Sequence, residues 1–366
     1  MLGLGYSALE VGIVATATLL GSAGLTLAIG LFASRLPQRL IALSASALMI
    51  ATGVVFMGAE SFWLVLAIAA IGTLNPSVGD VSVFLPLEQS RLADLAPTER
   101  RTHVFAWYSL AGTMGGALGT ISAPLPSMIG LALHFAFLIY VLVGLALAAI
   151  YLVVPLRGGV PAAAERRPAL SQESRRPILL LTGLFCIDAF GGGFVLQSLL
   201  ALWLFERFGL SIAEASSALF VMNLLAALSQ FAAPVVARRL GIINTMVFTH
   251  LPANLLMLLA PFAPNLEIAL ALLFVRSALS SMDVAPRTSL IVLLVPPEER
   301  AAATSVAAVP RALASAGAPV IAGALLAASS FGWSLVVGAG LKVLYDVLLL
   351  VVGRRLARER GLTDFR

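Results

Sequence analysis

Polar residues are scarce along this chain, and they punctuate it rather than alternate with apolar ones. A helix that crosses a bilayer needs about 20 consecutive, mostly apolar residues. That ruler marks eleven segments, at roughly 11–33, 40–58, 62–85, 103–123, 128–154, 178–204, 212–236, 243–262, 266–294, 303–328 and 333–353. Charge and proline interrupt the runs at 62–85 and 266–294. The chain is therefore expected to be an all-α polytopic membrane protein.

Composition narrows the picture. A hydrophobic share of 60% with only 11% charged residues excludes an ordinary soluble domain. Cys186 is the sole cysteine, and His103, His134 and His250 are the only histidines, so neither a disulfide within the chain nor a Cys/His metal cluster can form. A net charge of +5 would suggest nucleic acid in a soluble protein, but here the positions of the arginines matter more. Arg35 and Arg39, then Arg91, Arg100 and Arg101, then Arg157, Arg166, Arg167, Arg175 and Arg176 fall in every second loop. Arg238, Arg239, Arg300 and the tail from Arg354 continue the series, with Arg207 as the exception. Positive-inside bias places these loops and the C-terminus in the cytoplasm, and residue 1 on the outer side. Trp63, Trp107, Trp203 and Trp333 lie near segment ends, where indoles favour the membrane interface. No basic stretch precedes the first apolar run, so no cleavable signal peptide is read.

The stretch 155–177, rich in Pro, Ala and Arg, reads as a flexible linker between an N-terminal bundle (1–154) and a C-terminal bundle (178–353), followed by a tail (354–366). The two halves echo one another. "GLGYSALEVG" (3–12) aligns with "RFGLSIAEAS" (207–216) at an offset of 204, matching Gly5, Ser7 and Glu10 with Gly209, Ser211 and Glu214. Further on, Ala33–Leu36 aligns with Ala237–Leu240, Gly79-Asp80-Val81 with Met282-Asp283-Val284, and Pro97–Arg100 with Pro297–Arg300. Parallel repeats related by an axis along the membrane normal are a recurrent transporter plan.

"GLFASRLPQR" (30–39) resembles the loop signature of the major facilitator superfamily, with Gly30, Arg35 and Arg39 in place. Ser34 stands where that family usually has Asp, and Pro37 where it usually has Gly. "GDVSVFLPLEQ" (79–89), "DAFGGGFVLQSLL" (188–200) and "SMDVAPRTSLIVLLVPPEER" (281–300) are similar to a group of bacterial permeases of the same family. The resemblance implies two bundles making twelve helices, alternating access, and a central cavity lined by the first, fourth, seventh and tenth family helices. It also implies a monomer in the bacterial inner membrane, in contact with the lipid bilayer and a small-molecule substrate, without a cofactor. On that scheme the eleven segments correspond to the second through twelfth family helices, and the first is expected to be absent.

Ionisable residues within a bilayer are costly and mark either a pathway or a paired structural site. Arg276, Asp283 and Arg287 in the 266–294 segment are expected to share one helix face, because separations of 7 and 11 residues return within about 20°. Asp283 and Arg287 form an i,i+4 pair suited to a cytoplasmic gate or a packing network. Arg276 suits an anionic group in the cavity, or again a salt bridge. Asp188 precedes Gly191, Gly192 and Gly193, and reads as an unpaired carboxylate beside a hinge, a candidate for proton coupling or a cap for exposed backbone. Asp80 occupies the repeat position of Asp283 and is a cavity or gate candidate.

Gly112, Gly115, Gly116 and Gly119 form a small-residue face expected to pack closely, and Pro319 a matching bend. The arginine of the Pro310-Arg311 step joins Gly30, Arg35 and Arg39 as a gate candidate. Lys342 and Asp346 read as a self-neutralised i,i+4 pair on a peripheral helix, and His134 and His250 as isolated polar positions. No phosphate-binding loop and no nucleophile–base–acid set is present, so neither ATP-driven transport nor enzymatic catalysis is expected. The sequence points to a secondary transporter, with proton-coupled efflux as one form. The alternative is a non-transporting or truncated protein of the same fold.

Overall fold

The computed structural model describes residues 5–32, 37–59, 61–74, 84, 88, 92, 101–154 and 170–359. Helices account for nearly all of them, and the chain divides into two units, Met1–Arg166 and Arg167–Arg366.

The first unit holds α1 (Ala8–Phe32), α2 (Gln38–Gly58), α3 (Phe62–Ile71), α4 (Arg101–Ser122) and α5 (Ala136–Val153), with a single turn at Leu125–Met128. Helix α1 packs on α3, and α2 on α5. Glycines set the second crossing. A Cβ on Gly53 would lie 2.6 Å from Val141 Cγ2, and one on Gly144 would lie 2.9 Å from Ile50 Cγ1. Val14, Phe56, Val65 and Ala69 form the adjoining core.

The second unit runs α6 (Gln172–Gly193), α7 (Gln197–Phe208), α8 (Ile212–Leu240), α9 (Ile242–Leu259), α10 (Leu266–Ser280), α11 (Val284–Leu293), α12 (Arg300–Ala328) and α13 (Trp333–Glu359). Helix α6 packs on both α12 and α13, while α9 packs on α10 and α13. Phe185, Leu181, Met246, Leu290, Tyr345 and Leu349 sit in its core.

The repeated turn has the same atomic construction in both units. Gly5 and Gly209 take left-handed backbone angles (φ of 76° and 68°), which glycine adopts without steric cost. The amide of Ser7 then donates to Glu10 Oε2 at 2.8 Å, and the Glu10 amide to Ser7 Oγ at 3.3 Å. Ser211 and Glu214 do the same at 2.7 and 3.2 Å. Each pair is a capping box that satisfies amides left unbonded at a helix start.

Eight helices among the described residues are long and apolar enough to cross a membrane. Their outer surfaces are apolar: Val153, Val351 and Phe262 are all more than 60% exposed. Asp188, Asp283, Arg287, Lys342 and Asp346, by contrast, are buried inside. That inversion matches a lipid environment, where apolar surface needs no cover and polar groups must find partners within the protein.

Four expectations change. The linker ends earlier, because Ser171 caps α6 by accepting from the Ser174 amide at 3.3 Å, so 172–177 are helical. The 266–294 run is two helices, broken at 281–283. Pro286 falls in the first turn of the second of these helices, where its missing amide proton costs no helical bond. Helix α3 stops at Ile71, and 75–83 lie outside the described residues. Trp203 is fully buried rather than interfacial, with its indole N–H 3.3 Å from the Phe331 carbonyl.

Candidate functional site

The ionisable residues of the second unit converge on one place. Asp188 projects from α6 one turn beyond Phe185. Its Oδ1 accepts from Lys342 Nζ of α13 at 2.6 Å, and its Oδ2 lies 3.3 Å from Arg287 Nη2 of α11. Arg287 also donates to Asp283 at the head of its own helix, and its guanidinium lies 5.7 Å from the centre of the Phe185 ring. On the other side of Asp188, His250 of α9 brings Nε2 to 3.8 Å from Oδ1. His250 Nδ1 is 2.8 Å from Asp346 Oδ1, and Asn254 Nδ2 donates to Asp346 Oδ2 at 2.8 Å. No member of this cluster is more than 9% exposed. Charges so placed persist only because each has an opposite neighbour and hydrogen bonds.

The glycines after Asp188 create the room for this arrangement. A Cβ on Gly191 would sit 2.9 Å from the Gly338 carbonyl oxygen of α13, and one on Gly193 would meet Ser315 and Ala318 of α12. Gly192 leaves space beside Lys342 Nζ, 3.7 Å from where its Cβ would be. The same three residues end α6, and α7 restarts at Gln197. Close approach and helix interruption therefore occur together.

Several sequence expectations are revised at this site. Asp188 is not an unpaired carboxylate but the most heavily paired group in the cluster. Lys342 and Asp346 are not a self-neutralised pair: one turn apart on α13, they reach different partners, Asp188 and His250. Nor is His250 isolated. Its one local signal is the apolar helix that places a second polar residue, Asn254, four positions on. Arg276 does not share in the cluster, because the break at 281–283 ends the helical register that would align it with Asp283. Its Nε is sealed from solvent on α10 without a hydrogen-bond partner among the described residues.

The remaining candidates are dispersed. Arg311 and Pro319 lie within the 29-residue α12, which continues past Pro319 to Ala328. Gly30 lies near the end of α1, while Arg35 and Asp80 are outside the described residues. Arg39 donates to the Leu152 carbonyl in the last turn of α5, where helical carbonyls lack internal partners. On α4, a Cβ on Gly112, Gly115 or Gly119 would meet nothing within 4 Å, so these three make no close contact among the described residues. Gly116 belongs to the same turn of α4. Alanine at Gly112 or Gly115 is expected to leave the melting temperature of the purified protein unchanged or to raise it, since Ala favours a helix over Gly by about 1 kcal/mol. A clear fall in the melting temperature would show that the stripe is buried against something.

The first unit has a smaller polar locus. Glu88 accepts from Tyr108 of α4 at 2.5 Å and from Tyr151 of α5 at 2.7 Å, and Tyr151 stacks on Phe84 with ring centres 6.0 Å apart.

Known proteins share this architecture. A bacterial homologue of the human lysosomal transporter Spinster, in an inward-facing and occupied conformation, superposes with a TM-score of 0.71 at 17% identity, covering 96% of this chain and 90% of its own. The nucleoside transporter NupG gives 0.72 at 15% identity, covering 96% and 92%. The human organic anion transporter MFSD10 gives 0.63 at 20%, covering 93% and 83%. In sequence, the chain is 24% identical over 382 aligned residues to an uncharacterized membrane protein of Saccharomyces cerevisiae, covering 93% of this chain and 85% of that one. The model of the Major Facilitator Superfamily matches residues 1–266. Two helical units, the shared capping turns and this match agree: the chain belongs to the Major Facilitator Superfamily of membrane transporters.

Proposed function

We propose that this chain is a secondary active transporter that carries a small solute across the cell membrane by alternating access. The observation that carries this reading is the buried cluster of Asp188, Arg287, Lys342 and their neighbours inside a unit whose surface is apolar. Ionic groups held in that position are costly, and a transport pathway is the usual reason for keeping them. In this reading the cluster couples solute movement to an ion, and Asp80 and Arg276 face the solute. Asp283, Arg287, Arg311 and the Gly30–Arg39 loop close the cytoplasmic side. The Arg-rich loops and the C-terminus face the cytoplasm. Nucleosides and organic anions are the first solutes to screen, being the classes named for two of the neighbours.

The test needs no known solute. In a Cys186→Ser background, spin labels at the exposed positions Leu40 and Leu240 should report two distance populations in nanodiscs, whose ratio shifts with lipid or pH. A single invariant population would favour a non-transporting protein of the same fold.

A further inference from the structure

We infer that the outer face at the start of α6 binds an anionic phospholipid, with Arg175 and Arg176 holding its phosphate. The site lies apart from the buried cluster and does not depend on what the chain carries.

Gln172, Arg175, Arg176, Leu179 and Leu180 stand at i, i+3, i+4, i+7 and i+8, the spacing that lines one side of a helix. All five are exposed and line a groove of about 580 Å³, while Ser174, Pro177, Ile178 and Leu181 turn inward. The face changes character along the helix. Its first part carries two guanidiniums, and neither has an ion pair or side-chain hydrogen bond among the described residues. Counting Glu173 in the first turn, the patch remains positive. Two arginines at the end of α13 are held differently: Arg354 donates to Asn244 at 3.4 Å, and Arg355 to Glu359 at 2.8 Å.

Beyond the arginines the face is apolar. Leu179 and Leu180 follow, and then the exposed Gly183, about 10 Å past Arg176 along the axis. A Cβ on Gly183 would meet nothing within 4 Å, so the stripe ends in an open step.

A free phosphate would use only the arginines, whereas a phospholipid matches the whole stripe. Its phosphate pairs with the guanidiniums, whose planar forks meet phosphate oxygens two at a time. An acyl chain then runs over Leu179, Leu180 and the step at Gly183. Basic residues beside a membrane span attract anionic lipid, and the attraction grows with each one. Two adjacent arginines without an internal counter-ion keep that attraction for the lipid.

The test titrates the purified, delipidated full chain with phosphatidylglycerol or phosphatidylcholine and counts bound lipids by native mass spectrometry. One phosphatidylglycerol should bind at least about tenfold more tightly than phosphatidylcholine, and Arg175→Gln with Arg176→Gln should abolish that preference. Leu180→Gln, which keeps both guanidiniums, should also weaken phosphatidylglycerol binding. Arg354→Gln with Arg358→Gln removes two exposed arginines at the end of α13, whose Leu356 shares a core with Ile178 of α6, and should leave the preference intact. A preference that survives in the Arg175/Arg176 variant would overturn the inference, as would one lost equally in the α13 variant. Displacement of the lipid by an equal concentration of glycerol phosphate, which lacks acyl chains, would overturn the lipid as occupant.

Discussion

Lys342→Met is expected to destabilise the protein by about 3–5 kcal/mol, the range for removing one partner of a buried ion pair. The Lys342 ammonium lies 2.6 Å from Asp188, and removing it leaves three carboxylates facing Arg287 and His250. Asp188→Asn should cost less, because the amide keeps an acceptor oxygen beside Lys342 and leaves two carboxylates, Asp283 and Asp346, against the two cations Arg287 and Lys342. The order of the two single variants is thus a sharper test than either alone. Combined in one protein, they should depart from additivity by about 0.5–3 kcal/mol, as contacting residues do. Unfolding in mixed micelles of increasing SDS content gives these differences. A loss below about 1 kcal/mol for Lys342→Met would mean that the ammonium is solvated, like an exposed ion pair.

Gly191→Ala should also destabilise, although alanine is the better helix former. The added methyl would sit 2.9 Å from the Gly338 carbonyl oxygen and 3.1 Å from Lys342 Cγ. A side chain could turn away, but a backbone carbonyl moves only with its helix. Overpacking of this kind typically costs about 1–3 kcal/mol, more than the helical preference for alanine returns. Gly338→Ala presses on the same crossing from the other side, 2.8 Å from the Gly191 oxygen. Once α6 and α13 have been pushed apart by one substitution, the second should add little. The comparison with Gly112→Ala on α4, which meets no neighbour, separates packing from propensity. Equal melting temperatures for Gly191→Ala and Gly112→Ala would remove the close crossing from the account.

Much of the architecture was legible before any coordinates. A span must be about 20 residues long and apolar, so composition along the chain locates helices without knowledge of their neighbours. The echo of Ser7 and Glu10 in Ser211 and Glu214 was legible as well, because a capping box is local chemistry at fixed spacing. So was the Asp283–Arg287 contact, which spans one helical turn.

The same local rule misled at Lys342 and Asp346. Their spacing permits an i,i+4 pair, but such pairs contribute only about 0.2–0.5 kcal/mol on a helix. Buried partners on α6 and α9 offer far more, so each residue turns to its own. His250 was overlooked for a related reason: one imidazole in an apolar segment has no meaning until Asp188 and Asp346 stand on either side. Arg276 was aligned with Asp283 on the premise of one continuous helix, whereas the helix ends at Ser280 and restarts at Val284.

By itself the sequence determined that this is a helical membrane protein, where most of its helices lie and that one capping turn recurs in both halves, because each of those properties is encoded locally. Only the tertiary structure decided which charges meet. In water, a helix advertises its buried face through an apolar stripe. In a bilayer the face toward lipid is as apolar as the face toward protein, so hydropathy cannot say which way a side chain is turned. The partners of Asp188, His250, Lys342 and Asp346 are therefore set by how four helices cross, and the glycines at Gly191 and Gly338 fix how closely two of them do.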